Sequence, residues 1–153
     1  IHIRMGPDYK TIYNGTTKLK EYEKGYFNCL NFMINKGINC FFVFTNDKDY
    51  CYQILNNNPE YNGIEFIYSN ERDYVDIWMI SLIKNNIVSA STLAWWGSYL
   101  NNNQDKNIIV PNNCRNDLHL PEWTVLDYNE PIINQRRIKM GRPYDANFLY
   151  LYW

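Results

Sequence analysis

Residues 87–101, Ile-Val-Ser-Ala-Ser-Thr-Leu-Ala-Trp-Trp-Gly-Ser-Tyr-Leu-Asn, contain a short apolar run, a polar turn and a longer apolar segment. Ile87-Val88 predicts a short strand, and 93–100 predicts a helix that follows the small polar residues of 89–92. A strand that enters a helix through a short turn is the repeating unit of parallel α/β sheets. This stretch therefore indicates an α/β fold.

The segments on both sides repeat the alternation of strand and helix. Further strands are predicted at 1–4, 40–44, 64–68, 107–110 and 124–126, and further helices at 19–36, 48–56 and 73–84. The pattern predicts a Rossmann-like open parallel sheet with helices on both faces, formed by residues 1–130 as one domain.

Two segments carry specific expectations about burial. Cys40–Phe44 is apolar without alternation, which predicts a strand buried on both faces. Helix 73–84 has one apolar stripe, which predicts its buried face. The stripe consists of Val75, Trp78, Met79, Leu82 and Ile83.

Composition excludes several classes of protein. The 153 residues are 46% hydrophobic and carry a net charge of −1, so there is no overall basic excess to attract nucleic acid. No apolar run approaches the ~20 residues of a membrane span. The four cysteines form no C-x-x-C pair, so we expect no metal site, and free thiols favour a cytoplasmic location. Dinucleotide and P-loop glycine motifs are absent from the sequence, so any nucleotide must be held by other means.

Polar residues follow the predicted strands where parallel sheets bind ligands, beyond the carboxyl ends. Arg4 follows the first strand and Asp8 lies in the next loop. Asn46 and Asp47 follow the second strand, and the turn after Ile87-Val88 contributes Ser89, Ser91 and Thr92.

These residues suit an anion, although each has a structural alternative. The helix that begins after Ser91 offers free N–H groups and a positive dipole end, or Ser91 is a plain N-cap. Arg4 offers a planar fork for phosphate, or forms a surface ion pair. His2, on the same strand face as Arg4, either orients it or is a buried core histidine. Asp47 is a helix cap, a ribose contact or a proton acceptor, and Asp76 is placed to brace a loop.

The adjacent tryptophans of 95–97 point ~100° apart on a helix, so we expect one to pack under the sheet. The other would stack on a base or sugar, or pack on a neighbouring domain. Gly97 would allow a close backbone approach. The aromatic residues 148–153 predict that the tail, 131–153, packs on a neighbouring or missing domain.

These blocks resemble the alpha-1,2-fucosyltransferase family. Residues 87–101 are similar to its "II(A/S)NSTFSWWGAWLN" block, the most specific of the matches. Weaker similarities occur in family order: residues 1–9 to "HIRRGDY", 41–47 to "FFVFSDD", 76–82 to "DMYLMSLC", 108–111 to "VIAPK" and 117–123 to "DLIPENW". Together they span residues 1–126. Three departures stand out: Met5 replaces the second arginine, one extra residue precedes Asp8, and Asn46 replaces an aspartate.

The resemblance implies an inverting, metal-independent GT-B-type transferase that moves L-fucose from GDP-fucose to a glycan hydroxyl. The chain would be its donor-binding half, with the acceptor-binding domain before Ile1 and no cofactor. Implied donor-binding residues are His2, Arg4, Asn46, Asp47, Asp76, Ser89, Ser91, Thr92 and Trp95. Arg4 and Asp8 are the implied catalytic residues, with Asp8 the general base. The alternatives are another nucleotide-sugar transferase of the same fold and a non-catalytic α/β module.

Overall fold

The computed structural model describes residues 1–7, 10–11, 17–112 and 119–127, and in them strands and helices alternate as predicted. The strands are β1 (His2–Ile3), β2 (Cys40–Thr45), β3 (Glu65–Tyr68), β4 (Asn85–Ile87), β5 (Asn107–Pro111) and β6 (Thr124–Leu126). The α-helices are α1 (Thr17–Ile34), α2 (Lys48–Leu55), α3 (Asp73–Leu82) and α4 (Thr92–Tyr99), with a 3₁₀ turn at Pro59–Tyr61. The predicted tail, 131–153, lies outside the described residues.

The strands form two three-stranded parallel sheets, in the orders β1-β2-β3 and β4-β5-β6. One continuous sheet was predicted, so that part of the prediction is wrong. The edge strands β1 and β4 have only two and three residues, and a side-chain hydrogen bond between His2 and Ser89 links their ends. Two parallel sheets that meet at their first strands are compatible with a Rossmann-like fold.

Both faces of the second sheet are covered. Alternate residues of β5 belong to two hydrophobic clusters: Ile109 packs with the core that α1 contributes to, and Ile108 and Val110 pack with Trp95 of α4. Because successive strand residues point to opposite faces, α1 and α4 lie on opposite sides of this sheet. The expectation of helices on both faces is confirmed here.

The described residues cover the two faces of the first sheet to different extents. Phe41 and Val43 are buried in the core shared with α1 and α2, whereas Cys40 and Phe42 are exposed, Phe42 by 38%. Phe44, on the same face as Cys40 and Phe42, is only 1% exposed, so the prediction that β2 is buried on both faces is confirmed at its carboxyl end and wrong at Cys40 and Phe42. An unbroken apolar run allows either face of a strand to be buried, and the placement of the neighbouring elements decides which of its side chains are covered.

Helix α3 packs on α4 through a face that the periodicity did not predict. Its buried residue is Ile80, while Trp78 and Leu82 of the predicted stripe are 62% and 61% exposed. Gly97 of α4 is the reason, since a Cβ built there would lie 2.6 Å from the Ile80 Cγ2 and 3.1 Å from the Ile77 carbonyl oxygen. The missing side chain makes room for Ile80, and the close approach expected at Gly97 is confirmed. No helix in the described ranges has the length and apolar character needed to cross a bilayer.

We expect Gly97→Ala to lower the free energy of unfolding by about 1–3 kcal/mol, because the new methyl group would overlap Ile80. In a solvent-exposed helix the same change would raise the free energy of unfolding, by up to ~1 kcal/mol. The sign of the change in stability therefore tells whether Gly97 is in close contact with Ile80. Urea unfolding followed by circular dichroism measures the effect, with Gln53→Ala at an exposed position of α2 as the control. Equal stability of Gly97→Ala and wild type would contradict the contact.

Candidate functional site

The carboxyl ends of β1 and β2 lie side by side. Ile3 pairs with Thr45, so Arg4 and Asn46 continue two neighbouring strands just past the ladder. The Met5 N–H donates to the Asn46 Oδ1 at 3.2 Å and holds the two chain segments together beyond that point. Because adjacent strands are ~4.8 Å apart, Arg4 and Asn46 are neighbours at this edge.

On the other side of β1, His2 joins the turn that leads into α4. Its Nδ1 lies 2.5 Å from the Ser89 Oγ, and both residues are buried. Arg4 follows His2 by two residues, and Ser91 follows Ser89 by two. The segments that carry Arg4 and Ser91 therefore both leave from one buried contact, and the convergence of these two residues on one ligand stays a prediction.

His2 is neutral in the folded protein. Burial lowers its pKa to about 3, and the positive charges of the amino terminus and of Arg4 act in the same direction. A neutral imidazole can either donate to or accept from the Ser89 hydroxyl, depending on its tautomer. Of the two predicted alternatives, the structure shows the buried histidine, and the orienting of Arg4 by His2 stays a prediction.

The first turn of α4 is not capped by the side chain of Ser91. Ser91 occupies the N-cap position with extended backbone (φ −138°, ψ 133°), but its hydroxyl makes no cap hydrogen bond. Its own N–H donates to the Ser89 carbonyl at 2.8 Å, and Thr92 is exposed. The simple structural alternative of a serine cap is not realised, and the positive end of the helix dipole faces this edge.

Asp47 serves as a structural carboxylate. Its Oδ1 accepts from the Tyr50 N–H at 3.0 Å as the N-cap of α2, and its Oδ2 pairs with the Lys10 ammonium at 2.6 Å. Although burial opposes ionisation, Lys10 and the Tyr50 N–H hold the pKa of Asp47 below its usual range. A carboxylate with a lowered pKa and two engaged oxygens is a poor proton acceptor. Of the three predicted roles, the structure shows the helix cap.

Asp76 and Trp95 support the site from a distance. The Ser69 hydroxyl donates to Asp76 Oδ1 at 2.5 Å, so Asp76 braces the loop after β3, as predicted, and burial raises its pKa. Trp95 lies in the second core and stacks on Tyr99, with ring centroids 4.9 Å apart and planes 10° apart. Trp95 is thus the tryptophan that packs inward, beneath the turn that carries Ser91.

Two further positions bear on the resemblance. Met5, which stands where the family block has its second arginine, is fully buried in the core. Asp8, the implied general base, lies outside the described residues. Among the described residues no three His, Cys, Asp or Glu side chains are grouped to hold a metal ion.

Sequence reasoning missed the partner of Asp47. Lys10 lies 37 residues before Asp47, and nothing in the local sequence links the two. Only the parallel pairing of β1 with β2, which brings the loop after one strand to the loop after the other, creates the contact. A search for cations in the loop after the first strand would have found Lys10.

Comparison with known proteins identifies the family. Residues 1–147 match the profile of glycosyl transferase family 11, so the chain belongs to that family. The resemblance to alpha-1,2-fucosyltransferases that the double-tryptophan block indicated is thereby confirmed.

Two curated relatives come from Escherichia coli. The chain is 30% identical to the O-antigen biosynthesis glycosyltransferase WbnK over 80% of its own length and 42% of that protein. It is 31% identical to an alpha-1,2-colitosyltransferase over 67% of its own length and 36% of that protein. The chain thus spans less than half the length of these relatives. No solved structure matches significantly.

We expect stability to fall as the pH drops from 6.5 towards 3. In that window the unfolded chain protonates His2, whose ordinary pKa is 6.5, while the folded chain, with a pKa of about 3, does not. This single site would contribute a slope of up to ~1.4 kcal/mol per pH unit. Urea unfolding between pH 7 and 4 should give a shallower dependence for His2→Gln than for wild type.

Ser89→Ala is the matched control, because it removes the hydrogen bond and keeps the titrating imidazole. We expect it to be less stable at every pH with the wild-type slope retained. An unchanged slope in His2→Gln would show that His2 is not the group responsible.

Proposed function

We propose that this chain is the donor-binding half of a GT-B-type glycosyltransferase that moves L-fucose from GDP-fucose to a glycan hydroxyl, with inversion and without a metal. The observation that carries the proposal is the buried contact between His2 and Ser89, which brings the ends of β1 and β4 together. Family membership supports the reaction class, and the remaining half of the longer relatives leaves room for an acceptor-binding domain.

The chemistry follows from where charge develops. As the bond to the sugar breaks, negative charge builds up on the departing diphosphate. Arg4 would donate paired hydrogen bonds to it, and the N–H groups that begin α4 would donate from the neighbouring position. His2 and Ser89 are buried behind this edge and would keep the two donors in register. Because these groups are in place before the reaction, they need little reorganisation as charge appears.

Inversion requires a general base on the face of the sugar opposite the leaving group. Asp47 is unsuited to that role, because Lys10 and the Tyr50 N–H already occupy its oxygens. Asp8, five positions after the end of β1 in the sequence, is our proposed base. The acceptor would be held by the part of the protein that completes the cleft.

A second candidate donor is the corresponding colitose nucleotide, favoured by the name of one relative, an alpha-1,2-colitosyltransferase. The two donors share the nucleotide and differ in the sugar. Competition of GDP-fucose and of GDP-colitose against bound GDP ranks the affinities of the two donors. A donor that binds more tightly than GDP itself carries the sugar that the site recognises.

Titration calorimetry with GDP tests the proposal. We expect micromolar binding to the intact chain, weakened roughly 10- to 100-fold in Arg4→Ala, because a charge-assisted hydrogen bond contributes ~1.5–3 kcal/mol. Lys84→Ala, which removes a cation just before β4 at the opposite end of the strands, should bind as wild type does. A folded wild-type chain without affinity for GDP would instead favour a non-catalytic α/β module.

A further inference from the structure

Lys10 brings a second cation to the edge that holds Arg4. Its ammonium lies 2.6 Å from the Asp47 Oδ2, and Asp47 directly follows Asn46, which contacts the Met5 N–H. The order across the edge is therefore Lys10 beside β2, Arg4 at the end of β1, and the start of α4 beyond it. Because the paired strands β1 and β2 are ~4.8 Å apart, the segments that carry Lys10 and Arg4 are neighbours at this edge.

Two helices hold the Lys10 ammonium in place. It lies 4.7 Å from the centroid of the Tyr50 ring, and the Tyr50 hydroxyl donates to the Glu23 carboxylate of α1. Asp47, the other contact, is tied to α2 as its N-cap. A flexible lysine is thus held between a carboxylate and an aromatic face, and both supports belong to regular secondary structure.

The cation, and not its partner, is the solvent-facing member of the pair. The Lys10 side chain is 42% exposed and that of Asp47 is 16% exposed. An ammonium has three N–H donors, and one of them satisfies Asp47 Oδ2. The remaining donors can reach an anion at the edge without breaking the ion pair, so Asp47 positions Lys10 and does not compete for it.

The charge of the edge also calls for a second cation. Among residues 1–7, Arg4 is the one side chain with a positive charge at neutral pH, since His2 is neutral and Met5 is apolar and buried. A diphosphate carries at least two negative charges. Lys10 supplies the second positive charge from a different part of the chain.

We infer that Lys10 is a donor-binding residue that contacts the diphosphate together with Arg4, and that Asp47 and Tyr50 position it. This inference rests on the proposed function and adds to it a specific cation. It also accounts for Met5, because Lys10, seven positions after the end of β1, supplies a cation in place of the arginine that the family block has at position 5.

The test measures GDP binding by calorimetry at low and high salt, from about 20 mM to 500 mM NaCl. We expect Lys10→Ala to bind GDP about tenfold more weakly at low salt, with the difference from wild type shrinking at high salt because the lost attraction is screened. Lys10→Arg keeps the charge and should stay within about threefold of wild type. Lys36→Ala is the matched control, since Lys36 lies 4.5 Å from the Phe32 ring centroid in a similar cation–π contact just beyond the far end of α1.

The outcomes separate the two proposals. A loss in Lys10→Ala that is independent of salt, or that Lys10→Arg does not rescue, would make Lys10 a purely structural residue and overturn the inference. Unchanged GDP binding in Lys10→Ala, with the expected loss in Arg4→Ala, would overturn the inference and leave the proposed function intact. A folded wild-type chain that binds no GDP would overturn both.

Discussion

A single buried hydrogen bond between His2 and Ser89 organises the edge that we propose as the ligand-binding site. The two residues are 87 positions apart: His2 belongs to β1 and Ser89 follows β4, and these strands belong to different sheets. Both partners are buried, so leaving either unpaired would cost the desolvation of a polar group. That cost holds the ends of β1 and β4 together where the backbone ladders stop. Every role proposed for Arg4 and for the start of α4 depends on this contact.

The cores beneath the edge set the position of α4. Trp95 packs inward on Tyr99 and Trp123, and Gly97 lets α3 approach closely on another face of the helix. Packing on two sides leaves little freedom for the helix to shift along the sheet. The outward face of α3, with Trp78 and Leu82 exposed, is the consequence of that arrangement.

In the ion pair at the edge, the Lys10 side chain is the more exposed member and the Asp47 carboxylate the more buried one. One Asp47 oxygen caps α2 and the other pairs with Lys10, so the carboxylate is poorly suited to accept a proton. The same carboxylate keeps Lys10 in a defined place. Such preorganisation is how a transferase can stabilise a leaving diphosphate with fixed protein groups.

The sequence by itself determined the alternation of strands and helices, the family, and the residues that follow each strand, because periodicity, turn residues and the double-tryptophan block are local signals. It also placed Gly97 and Asp76 correctly, since close packing and loop bracing are readable from single residues in context. The tertiary structure alone decided which face of α3 is buried, that Cys40 and Phe42 of β2 are exposed, and that Asp47 pairs with Lys10. Those outcomes depend on which elements, far apart in the sequence, pack against each other. The local sequence of an apolar run or around a carboxylate does not specify its distant partner.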